Sequence, residues 1–67
     1  MSKILFASLT NEILEDLGLK MLKVEFNDDL IADVSYTKDG SVTNNFYVAY
    51  RYMKVNRLRN KILSEVC

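Results

Sequence analysis

The spacing of apolar residues along this chain changes from helical to alternating and back to helical. In the first segment Leu9, Ile13, Leu14 and Leu17 recur at three- and four-residue steps and form one stripe of a helix. Thr10 has the chemistry of an N-cap, and Glu12 falls in a first turn, where the helix dipole favours an acid. Leu9 and Leu14 occupy the positions of a hydrophobic staple, and Gly18 is placed to end the helix in the left-handed conformation. Upstream, residues 3–8 are compatible with either a short strand or an extension of the same helix.

Period two follows. Leu22, Val24 and Phe26 alternate with Lys23, Glu25 and Asn27, which predicts a half-buried strand. Residues 27–29 read as a turn. A second strand places Leu30, Ala32, Val34 and Tyr36 on one face, with Ile31, Asp33, Ser35 and Thr37 on the other. The stretch from Thr37 to Ser41 matches a tight hairpin with Gly40 at the position that needs positive φ. The third strand sets Val42, Asn44, Phe46, Val48 and Tyr50 against Thr43, Asn45, Tyr47 and Ala49.

From about Tyr52 the step is helical again. Val55, Leu58, Ile62 and Val66 form a core-facing stripe, and Lys54, Arg57 and Lys61 lie on a neighbouring face. A helix starting near Phe46 is an alternative reading of the same residues. The elements add up to one α+β domain over residues 1–67: a small three-stranded antiparallel meander flanked by an N-terminal and a C-terminal amphipathic helix. If the helices cover one side of the sheet, Met21, Ile31 and Tyr47 are expected on the uncovered side as an apolar patch suited to association.

A chain of 67 residues buries a thin core, and domains of this size lean on disulfides, a metal or a partner. Cys67 is the lone cysteine and there is no histidine, so disulfides are excluded and neither a metal nor a cofactor is expected. Cys67 also lacks a lipidation context and a resolving partner, and reads as a thiol without a role. A partner is the remaining support. The apolar run near the N-terminus is too short for a signal-peptide core and no segment approaches membrane-spanning length, which points to the cytoplasm, of a cell or of a host.

Catalysis has no residues to work with. No histidine can serve as base to a nucleophile. Glu12, Glu15 and Asp16 fall on the wet face of a helix rather than in a cleft. Asp28, Asp29 and Asp33 lack the spacing, the glycine and the closing glutamate of a calcium loop. No glycine-rich stretch could cradle a phosphate. The chain is not expected to be an enzyme.

Charge is more informative. Residues 1–40 hold eight acids and four lysines, a balance of −4, whereas residues 41–67 hold Arg51, Lys54, Arg57, Arg59 and Lys61 against Glu65, a balance of +4. Such a run is ordinarily the solvated face of a helix. Read as a contact surface, it offers Tyr47, Arg51, Tyr52, Lys54, Arg57 and Lys61 to an acidic surface on a partner protein, since arginine and tyrosine are enriched among interface anchors. That makes the chain a small non-catalytic interaction protein: a regulator, inhibitor or adaptor, a role common among short accessory proteins of phages and mobile elements. Two alternatives compete with it. One is a nucleic-acid-binding regulator using the same helix and the neighbouring tyrosines, which the acid-rich half and a pI of about 6.1 disfavour. The other is a self-assembling subunit, a homodimer or a larger homo-oligomer, that joins through its sheet face or its charge polarity.

Overall fold

The structure, a computed structural model, describes residues 1–66; Cys67 and the reading of its thiol lie outside the described residues. Five elements follow one another: α1 (Lys3–Asp16), β1 (Lys20–Phe26), β2 (Ile31–Thr37), β3 (Thr43–Ala49) and α2 (Val55–Val66). The strands form an antiparallel meander in the order β1-β2-β3, so the α+β architecture is the expected one.

The first helix starts well before Thr10. Ser2 is the N-cap, its hydroxyl accepting from the Leu5 amide at 3.2 Å, and residues 3–8 extend the helix. Thr10 is instead a buried mid-helix residue whose hydroxyl has no hydrogen-bond partner among the described residues. The inward face is Phe6, Thr10, Ile13 and Leu14, while Leu17, the cap at the other end, is exposed. A threonine on the core side looks like a cap in sequence because both settings follow an apolar residue. Gly18 ends the helix as predicted, with φ +77°.

In β1 the alternation slips. The register with β2 shifts between Met21 and Lys23, leaving Leu22 bulged out and 47% exposed, while Met21 packs against the core. An extra residue on one strand moves every side chain before it to the other face. Met21 therefore does not join an outer patch. Further along, Leu30 precedes β2 and is exposed, as is Val42 before β3. Phe46 lies within β3, so the chain turns helical only after residue 49, and α2 begins at Val55.

Both hairpin turns are closed by aspartates. Asp28 Oδ1 accepts from the Leu30 and Ile31 amides at 2.7 and 2.9 Å. Asp39 Oδ1 accepts from the Ser41 hydroxyl at 2.7 Å and its amide at 2.9 Å. Hydrogen bonds to the charged form hold both carboxyls below the ordinary aspartate range. Gly40, at φ +88°, gives its amide to Thr37 Oγ1 at 3.0 Å, and the Thr37 hydroxyl donates to the Val42 carbonyl at 2.7 Å.

The core lies between the helices and one face of the sheet: Phe6 and Leu14 of α1, Val34 of β2, Val48 of β3, and Leu58 and Ile62 of α2 are almost fully buried. Each such side chain contributes roughly 1.5–3 kcal/mol relative to exposure. Phe6, Phe26 and Tyr50 form a three-ring cluster with centroids 5.2–6.1 Å apart, joining α1 to the ends of both outer strands. Alongside it, the Met1 ammonium donates to the carbonyls of Tyr50 and Arg51.

Candidate functional site

The helix α2 presents two distinct faces. Leu58 and Ile62 enter the core, and Arg57, Asn60, Lys61 and Ser64, at steps of three and four, share the adjoining face. That second face looks across a groove of about 490 Å³ to Tyr47 and Ala49 of β3, and Met53 also lines it. A second hollow of about 340 Å³ adjoins the first, sharing Ala49, Met53 and Arg57 with it and adding Tyr52. Tyr47 is 57% and Tyr52 84% exposed, large aromatic areas to leave in water.

The cations that the sequence gathers into one run are spread over several faces. Arg57 and Lys61 border the groove. Lys61 Nζ lies 2.7 Å from Glu65 Oε1, whereas Arg57 forms no ion pair among the described residues. Arg51 points elsewhere, toward the hollow beside Met1 and Asp29, with NH1 4.0 Å from Asp29 Oδ2. Its guanidinium also sits 5.9 Å from the Tyr52 ring centroid, so it touches the groove only by bracing one wall. Arg59 lies on the far side of α2, in a hollow with Asp16 of α1 and its cap residue Leu17. Lys54 precedes the helix; its carbonyl accepts from the Leu58 amide at 2.9 Å and its side chain is exposed.

Of the six residues singled out from sequence, Tyr47, Arg57 and Lys61 therefore line the groove, and Tyr52 lines the hollow that adjoins it at Arg57. Ala49, Met53 and Asn60 belong with them and carry no signal of their own. Asn60 was legible as the i+3 neighbour of Arg57; Ala49 and Met53 depend on how the chain leaves β3.

The outer sheet face is mostly polar. Lys23 pairs with Glu25, which raises the lysine's pKa chiefly through their hydrogen bond, and the Asn45 side-chain amide donates to Asp33 at 3.2 Å. Ile31, opposite Ala49 and one step from the Asp33–Tyr47 pair, extends the aromatic end by one apolar residue. The expected patch of Met21, Ile31 and Tyr47 thus loses Met21 to the core, and Ala49 lies beside the remaining two.

Among the described residues no three His, Cys, Asp or Glu side chains converge as metal ligands, and no helix is long and apolar enough to cross a membrane. Compared with known proteins, the chain matches no family model, and no curated protein or solved structure is significantly similar to it.

Proposed function

We propose that this chain is a non-catalytic interaction protein that binds an acidic partner protein through the groove between β3 and α2. The observation that carries the reading is that two exposed tyrosines, in adjoining hollows, flank one arginine common to both that no carboxylate among the described residues engages. Aromatic rings supply rigid contact area, and a guanidinium supplies directional donors for carboxylates. Regulation, inhibition or adaptor duty would follow from occupying the partner's surface, and the cytoplasm, cellular or host, is where such a role is placed. A phosphate backbone, which needs several unpaired cations in line, fits less well than a partner carboxylate, which needs only Arg57, because Asp29 accompanies Arg51 and Glu65 accompanies Lys61.

The test is a charge reversal. Arg57→Glu with Lys61→Glu should abolish capture of the partner while the circular dichroism spectrum stays unchanged, because both side chains are outside the core. Undiminished capture by the folded variant sinks the assignment of this surface.

A further inference from the structure

The backbone of β3 decides how a partner can sit in the groove. The Tyr50 amide donates to the Leu30 carbonyl at 3.0 Å, and these two residues extend the register in which Ile31 faces Ala49. In an antiparallel ladder the bonded pairs alternate. Val48, Phe46 and Asn44 therefore turn their amides and carbonyls toward β2, and Ala49, Tyr47, Asn45 and Thr43 turn theirs to the open side. All four are exposed, and Tyr47 and Ala49 line the groove.

The two edges of the sheet are treated differently. β1 is guarded: it carries the bulge at Leu22 and charged Lys20, Lys23 and Glu25. Bulges and charges, lysine above all, are how natural sheets keep an edge from pairing. β3, with the sequence Thr-Asn-Asn-Phe-Tyr-Val-Ala, has neither charge nor proline and pairs with β2 residue for residue, without a bulge. An unguarded edge beside an open groove is the geometry for strand addition, in which main-chain bonds give affinity and alternate side chains give specificity.

We infer that an extended, acidic segment of a partner protein adds to β3 as a fourth strand, bonding the outward groups of Asn45, Tyr47 and Ala49 and placing carboxylates against Arg57. This rests on the groove reading above and specifies its ligand. A second copy of the chain is a poorer occupant. Two β3 edges paired about a twofold axis bring two copies of the same cationic helix face to one seam, with no acid on β3 to offset them.

The test starts from random octapeptides displayed on phage and selected against the full chain. Enrichment of sequences with acids at alternate positions, interleaved with β-branched residues, is expected. The most enriched peptide is then synthesised, and hydrogen exchange is followed by NMR at saturation. The amides of Asn45, Tyr47 and Ala49 should slow by about tenfold or more, with Phe46 and Val48 unchanged. Methylating the peptide's backbone nitrogens at every second residue should abolish binding in one frame and spare it in the other. Asn45→Pro, which removes an outward donor and leaves the β2 ladder intact, should weaken binding by about tenfold.

Selection of basic peptides, or of none, overturns the inference. Acidic peptides that tolerate both methylation frames and leave the edge amides unprotected overturn strand addition while sparing the groove. Acidic peptides indifferent to Arg57→Glu overturn the groove itself. A concentration-dependent dimer that Asn45→Pro dissolves would assign the edge to a second copy instead.

Discussion

Lys61 Nζ and Glu65 Oε1 lie 2.7 Å apart, one turn from each other on α2, so one of the two cations bordering the groove already has a carboxylate. The pair is a weak source of stability. Its order, lysine before glutamate, is the less favourable one, and Glu65 sits in the last turn, where the helix dipole disfavours an acid. Glu65→Gln should therefore change unfolding free energy by no more than about 0.5 kcal/mol. With its carboxylate gone, Lys61 becomes available, and an acidic peptide should bind several-fold tighter. Titration calorimetry on the wild type and the variant checks this; equal affinity would mean that Lys61 takes no part.

Thr10 offers a stability prediction. Its hydroxyl is buried in the core without a partner among the described residues. Thr10→Val keeps the shape and the β-branch and removes the unsatisfied oxygen, so urea unfolding should show a gain of about 1–3 kcal/mol. A loss would mean that the hydroxyl is satisfied in solution.

Acid should loosen both hairpins. Asp28 and Asp39 have lowered pKa values in the folded chain, from amide bonds at Asp28 and from the Ser41 hydroxyl and amide at Asp39. A carboxyl depressed on folding contributes stability above its unfolded pKa of about 3.9, and that contribution is lost as pH falls through the folded value. Asp28→Asn with Asp39→Asn retains an acceptor oxygen at each turn but cannot titrate. Its thermal midpoint should fall less than that of the wild type between about pH 5 and pH 2.

Gly40 separates conformational from steric need. A Cβ there meets nothing within 4 Å, yet φ is +88°. Gly40→Ala should thus cost about 1–2 kcal/mol through the backbone alone. Loss of that size, with strand chemical shifts preserved, is the expected result.

Much of this fold was legible, and the exceptions have physical causes. Gly18 and Gly40 marked their stops correctly because positive φ leaves few other choices. The inward faces of β2 and β3 followed alternation through Ala32, Val34, Phe46 and Val48. Thr10 misled because the chemistry that makes a threonine a cap does not reveal whether it is buried. Leu22 misled because a bulge changes parity without changing composition. The site was half legible: Tyr47 and Arg57 met as surface residues, but the cationic run divided once α2 turned Arg59 toward α1 and Arg51 toward Asp29. A linear charge count has no access to that rotation.

Photocrosslinking from position 47 tests the central claim most directly. Benzoylphenylalanine in place of Tyr47 should give one discrete adduct in a lysate of the native host, lost on Arg57→Glu and absent when the probe is moved to Ser8 or Lys38. Adducts of equal yield from all three positions, or an adduct at 47 that survives Arg57→Glu, would contradict a groove-borne contact.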